Sequence, residues 1–255
     1  MNTMHGFRLV SSSELKEIKG TADIYKHDKS GLTMVHLNCE DTNKTFSMSF
    51  CTPPENSTGV PHILEHSVLA GSDKYPVREP FVELMKGSLN TFLNAFTASD
   101  WTMYPVASQN MQDYLNLVDV YMDAVLNPLI HSVPEIFWQE GWHYEINGGK
   151  LSVNGVVYNE LEGALKALDR VIAEEINTAL SFDTYGVNSV AAIPPLYQSF
   201  PMKRSVTSIK SFTILQTPSC ACMAMWIWTR CLPLRTAILI KTCPPRVSTL
   251  ATPQG

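Results

Sequence analysis

The sequence predicts an α+β fold in which helices flank a largely antiparallel sheet. Three observations lead there. Residues 20–52 alternate apolar and polar positions around turn residues, the period of half-buried strands. Residues 110–130 place Tyr114, Leu117, Val118, Tyr121, Met122 and Val125 at spacings of three and four, the period of one helix face. Strand-like and amphipathic segments then alternate as far as residue 180.

Taken in order, "TADIYKHDKSGLTMVHLNCED" reads as a hairpin closed by "DKSG", and "TFSMSFCT" as a further strand with Phe46, Met48 and Phe50 on one face. "PPENSTG" is a loop. A helix follows from about Pro61 to Ala70, with proline in its first turn and Gly71 at its end. A short helix near 79–86 leads through mixed residues to a strand-like "WTMYPVA". After the 110–130 helix, "PEIFWQEGWHYEI" reads as a helix breaking into a strand, and "GGKLSVNGVVYNE" as a turn, a strand and a helix entry. "ELEGALKALDRVIAEEINTAL" reads as one long helix with Gly163 inside it. There is no internal repeat.

The 255 residues suffice for one large domain or two small ones. A net charge of -5 gives no case for nucleic-acid binding, and no apolar run approaches the roughly 18 residues of a membrane span. The first twenty residues lack a secretory h-region and the Arg-rich look of a transit peptide. The expectation is a cytoplasmic protein, or an organellar one if the N-terminus is cropped.

These averages hide a break. All 24 Asp and Glu lie at or before Asp183, whereas residues 184–255 hold seven Lys and Arg and no acid. Cys220, Cys222, Cys231 and Cys243 also fall there, but "CAC" followed by wide gaps fits no zinc-ribbon spacing, so they read as incidental. No sustained period survives after Val190.

The chemistry centres on "GVPHILEHSVLAG", residues 59–71. His62, Glu65 and His66 form H-x-x-E-H, the inverted form of the H-E-x-x-H metalloprotease motif. On a helix, i and i+4 share one face, so two imidazoles can hold one cation while Glu65 reaches a water in its open position. Ile63, Leu64, Val68 and Leu69 surround the trio, so the helix should be buried, and buried polar side chains need a partner that a metal can provide. The same spacing also occurs on ordinary helices carrying two histidines. For a third ligand, Glu160 in "GVVYNELEG" stands at a strand-to-helix junction, with Glu162, Glu174 and Glu175 as competitors that spacing does not separate.

From about Gly6 to Asn188 the chain resembles the N-terminal catalytic domain of the pitrilysin-type zinc peptidases, in the presequence protease and falcilysin branch. Five ordered blocks carry the likeness: "GVPHILEHSVLAGSDKYPVREPF", "SLNTFLNAFTASDWTMYPVASQN", "FWQEGWHYE", "GVVYNELEGAL" and "RVIAEEINTALSFDTYGVNS". The resemblance implies a pitrilysin or mitochondrial-processing-peptidase-like domain that binds one Zn2+ per chain. It implies His62 and His66 as ligands, Glu65 as general base and Glu160, in a run that here reads Asn159-Glu160-Leu161-Glu162-Gly163, as third ligand. It matches Asn94, Ala95 and Phe96 to a cleft-edge strand that pairs with extended peptide; the same stretch also fits plain core packing through Phe92 and Phe96.

The family's chains run to roughly a thousand residues and close two halves around unfolded peptides, including cleaved targeting peptides. The second half, with its Arg and Tyr pair, has no counterpart here. The division expected is therefore an incomplete peptidase domain, 1–189, and an aberrant, poorly ordered tail, 190–255. The family continues after "YGVNS" with a G-G-D-P turn that is missing, and later has a strand like G-N-V-D-M-D. Back-translating "MAMWIWT" from Met223 and reading two nucleotides on yields Gly, then Asn, Asp, His or Tyr, then Val, Asp, Met or Leu, and Asp. The tail is thus expected to be out of frame.

The reading is a zinc endopeptidase of unstructured peptides, weak or inactive as this fragment, whose partners are such peptides and the missing C-terminal half, not nucleic acid or membrane. The alternative is a non-catalytic peptide-binding or pairing subunit of the same fold. A lyase of thioether metabolism is less well matched by the five blocks.

Overall fold

A computed structural model of the chain describes residues 5–54, 56–164, 167–180 and 236–238. Its ten strands form an eight-stranded sheet and a separate hairpin. β1 (Phe7–Leu15), β2 (Gly20–His27) and β3 (Thr33–Asn38) run antiparallel, and His27 and Leu32 close the predicted hairpin through a main-chain hydrogen bond of 2.8 Å. β4 (Lys44–Cys51) pairs with β7 (Trp101–Ser108), and β5 (Asn90–Leu93) and β6 (Phe96–Thr97) pair with β7 at its other side. Thr236–Ile238 forms β10, which fills the slot between β3 and β4, antiparallel to the first and parallel to the second. β8 (His143–Asn147) and β9 (Lys150–Asn154) make the hairpin.

The expected α+β class holds. In β4, Phe46, Met48 and Phe50 are buried on one face, as the alternation predicts, but Ser47 and Ser49 are buried as well. Both faces of β4 are therefore covered, and alternation here marks which face meets the apolar core, not which face meets water.

Six helices are described: α1 (Val60–Val68), α2 (Pro80–Gly87), α3 (Met111–Leu126), α4 (Glu135–Glu140), α5 (Val156–Ala164) and α6 (Leu168–Leu180). α3 forms as its spacing predicts. Asn110 caps it by accepting from Asp113 N at 3.0 Å, and Tyr114, Leu117, Val118, Tyr121 and Val125 are buried. α3 packs on β4 and β7, and α1 packs on β6, β7, α4 and α5. Their facing side chains, among them Phe46, Tyr104, Val106, Ile63, Val68, Phe137 and Leu161, make one core. Each such side chain contributes about 1.5–3 kcal/mol by leaving water.

Two expectations change. The long helix predicted over 160–180 is described as two, α5 and α6, with Ala167 outside both. β1 is unpredicted: "FRLVSSSEL" has no clean alternation, since most of it is exposed at the sheet edge and main-chain pairing with β2 sets its conformation. The tail expectation over 190–255 lies outside the described residues except at β10, which is paired within the sheet. No described helix is long and apolar enough to cross a membrane.

Candidate metal centre and cleft

α1 starts at Gly59 and carries Pro61 in its first turn, where a missing N–H leaves no bond unmade. Ile63, Leu64 and Val68 anchor it in the core. That orientation turns the opposite stripe, His62, Glu65 and His66, into a cleft of about 470 Å³. The two imidazoles lie 5.0 Å apart between ring centres.

Glu160 meets them from α5. Its Oε2 is 3.7 Å from His62 Nε2 and 3.6 Å from His66 Nε2. One ligand atom from each of the three side chains lies within 4.8 Å of the others. These separations are too long for hydrogen bonds. They come close to the roughly 3.3 Å edge of a tetrahedron built on bonds of about 2.0–2.1 Å. Two imidazoles and one carboxylate are also the donor set of a catalytic zinc site. The residues therefore fit the metal that the motif suggests. Glu160 sits one turn inside α5, not at the strand-to-helix junction itself.

The backbone explains how two distant helices meet α1 here. α4 ends at Gly141, where a side chain would press within 2.8 Å of Phe137 O and 3.1 Å of Ile63 Cγ2. Gly155, just before α5, is closer still: a Cβ there would lie 2.2 Å from Gly141 O. Tyr158 N donates to the same carbonyl at 3.3 Å. Two glycines let the end of α4 and the start of α5 touch backbone to backbone, and that contact brings Glu160 to both histidines and Glu140 to His66.

Glu65 is buried, and Thr97 of β6 donates a hydrogen bond to its Oε2. Thr97 continues a hydroxyl chain through Thr102 (3.3 Å) to Thr52 (2.7 Å). Burial pushes the Glu65 carboxyl above the usual range and Glu160 adds to this, while the Thr97 bond and His66 pull the other way. A raised carboxyl suits a base working near neutral pH. Burial and the neighbouring His66 hold His62 down at about 4, against Glu160; Arg170 of α6 adds to the lowering. His66 is also depressed by burial, but Glu140, Glu65 and Glu160 outweigh that and leave it raised.

Asn94 and Ala95 join β5 to β6, Phe96 begins β6, and all three line the cleft. Asn94 N donates to Pro105 O at 3.2 Å, and its side chain accepts from Ala95 N at 2.9 Å. Phe92 and Phe96 stack at 6.2 Å and are 44% and 38% exposed, so the pair is not core packing. Among the competitors for third ligand, Glu162 and Glu175 are outside the ligand cluster, and the Glu174 side chain lies outside the described residues. Sequence reasoning missed Thr97 and Glu140. Both stand in the quoted blocks, but only packing shows that one holds the base and the other faces a histidine.

Residues 51–133, which include the H-x-x-E-H run, match the family model described as Insulinase (Peptidase family M16). The chain is 53% identical over 187 residues to presequence protease 1, chloroplastic/mitochondrial, of Arabidopsis thaliana, covering 72% of this chain and 17% of that one. It is 52% identical over 191 residues to protein HypA of Clostridium perfringens (74% and 20%) and 44% identical over 193 residues to the mitochondrial presequence protease of Xenopus tropicalis (73% and 19%). The chain thus spans about a fifth of the length of the curated relatives it matches. The crystal structure of pitrilysin shares the fold, at a TM-score of 0.60 and 16% identity, over 94% of this chain and 23% of that one. The resemblance to pitrilysin-type metallopeptidases read from the sequence is borne out. Relatives named for mitochondria and chloroplasts give the cytoplasmic expectation no support.

Proposed function

We infer that this M16-type chain is the metal-binding catalytic domain of a zinc-dependent endopeptidase acting on unstructured peptides, the presequence proteases among its relatives suggesting cleaved targeting peptides. The observation that carries this is the convergence of His62 Nε2, His66 Nε2 and Glu160 Oε2 at metal-ligand spacing beside a buried Glu65. A bound zinc would supply Lewis acidity, making water more acidic and a peptide carbonyl more electrophilic.

The chain's own residues do the rest. Glu65 takes the proton of the attacking water and hands it to the departing amine. Thr97 holds Glu65 Oε2, which leaves Oε1 for proton transfer. Asn94, Ala95 and Phe96 form the cleft edge along which an extended peptide is proposed to lie, with the exposed Phe92 and Phe96 rings offering it apolar contact. Residues 1–189 are proposed as the peptidase domain. The segment from 190 is proposed to be out of frame, and the residues given span about a fifth of the relatives' length, so this stretch by itself is expected to hydrolyse peptide weakly.

The test is metal content. The purified chain should hold close to one zinc, and His62→Ala should lose it. Rejoined to an in-frame remainder, the chain should cleave a quenched unstructured peptide in a chelator-sensitive way. A folded chain that takes up no zinc, with His62→Ala unchanged from it, would refute the reading.

A further inference from the structure

Glu160 of α5 faces both histidines from one side of the site; the last residue of α4 stands on the other side of His66. Glu140 is 7% exposed, and a carboxylate so buried is costly unless it is paired. Its Oε1 accepts from Gln139 Nε2 at 3.1 Å. Gln139 Nε2 also reaches Glu79 Oε1 at 3.4 Å and its Oε1 takes Arg78 at 3.3 Å, so the amide is tethered from both ends. With Oε1 thus engaged, Oε2 points to His66 Nδ1 at 3.6 Å. That is the ring nitrogen opposite the one facing Glu160.

We propose that Glu140 is a positioning residue for the metal centre, holding a proton on His66 Nδ1 so that Nε2 keeps its lone pair for the metal. A neutral imidazole carries its proton on one nitrogen, and only the other can bind a cation, so whichever group accepts from Nδ1–H selects the ligand atom. The contact, at 3.6 Å, is about half an ångström longer than a hydrogen bond. Among the described residues no second carboxylate is recorded at His62, so the two histidines differ: His66 has a buried anion behind it and His62 faces only Glu160. The Gly141–Gly155 contact gives the arrangement its economy, since one backbone junction sets both the carboxylate that binds metal and the carboxylate that orients its ligand. The inference rests on the zinc reading for its purpose, but the Glu140–His66 pairing can be observed without metal.

The test uses the full chain with 15N-labelled histidine, His66 being assigned by its loss in His66→Gln. In the metal-free protein, at a pH where the ring is neutral, His66 should be the Nδ1–H tautomer. Glu140→Leu should move it toward Nε2–H and weaken zinc binding about 10–100-fold, the range for loss of such outer partners. Glu140→Gln, which keeps an acceptor oxygen and nearly the same volume, should keep the tautomer and recover most of the affinity. It also serves if Glu140→Leu does not fold. A wild-type His66 already in the Nε2–H form, or a folded Glu140→Leu with unchanged tautomer and zinc affinity, overturns the proposal. If the wild-type chain binds no zinc at all, the zinc reading fails, and the tautomer still decides the pairing on its own.

Discussion

Replacing Gly155 by alanine should loosen the metal site without touching a ligand. The new Cβ would lie 2.2 Å from Gly141 O, 2.7 Å from Trp142 Cα and 2.8 Å from Gly141 C. All three are main-chain atoms, so no side chain can swing aside. Real Cβ contacts do not fall below 3.0 Å, and the two segments must part until they reach it. The opening is about 0.8 Å, against a tolerance of about 0.2 Å in a metal–ligand distance. Gly155 O accepts from Asn159 N at 2.9 Å, so the first turn of α5 moves as a unit and carries Glu160 with it. Overpacking of this kind costs about 1–3 kcal/mol of stability. Zinc affinity should fall by about 10–100-fold, the effect of disturbing a ligand's support. Urea unfolding and zinc titration against a chromophoric chelator measure the two. Gly163→Ala is the control: its Cβ would meet nothing within 4 Å, so it should leave zinc binding intact. A Gly155→Ala chain with the wild-type unfolding midpoint and zinc affinity would refute the idea that this junction sets the site.

Two further outcomes are expected. His62, held at about 4 when folded and near 6.5 when free, binds fewer protons in the folded state between those values, so the metal-free chain should lose stability as pH falls through that window. The loss attributable to His62 is on the order of 3 kcal/mol, and urea unfolding of His62→Gln against wild type at pH 7 and pH 4 should show it as a flatter pH dependence; an unchanged slope would contradict it. Thr97→Val removes the donor that lowers the Glu65 carboxyl, so in a peptide-hydrolysing form of the enzyme the acid limb of the pH–rate profile should move to higher pH, and its staying in place would show that Thr97 does not hold the base.

Much of the site was legible along the chain because it is written in a helical period. His62, Glu65 and His66 are three and one residues apart, and a helix of 3.6 residues per turn puts them on one face wherever it packs. The apolar residues between them fix which face is buried, and α3 announces itself the same way through Tyr114, Leu117, Val118, Tyr121 and Val125. Glu160 was only one of four candidate glutamates by spacing; the likeness to a known family favoured it, and the fold brings its carboxylate within 3.7 Å of both imidazoles. Thr97 and Glu140 were not legible at all. Each lies more than thirty residues or seventy residues, respectively, from the α1 side chain it serves, and no local period links them.

The sequence by itself determined the helix that carries His62, Glu65 and His66 on one face, the alternating strands and the α+β class, because those follow from short-range geometry that each segment carries alone. Only the tertiary structure decided which glutamate meets both imidazoles, which threonine donates to Glu65 and which carboxylate stands behind His66. For the two carboxylates the reason is the close approach of Gly141 and Gly155, which joins two helices through atoms every residue possesses, at a point where the absence of side chains lets them meet; for Thr97 it is the pairing of β6 with β7.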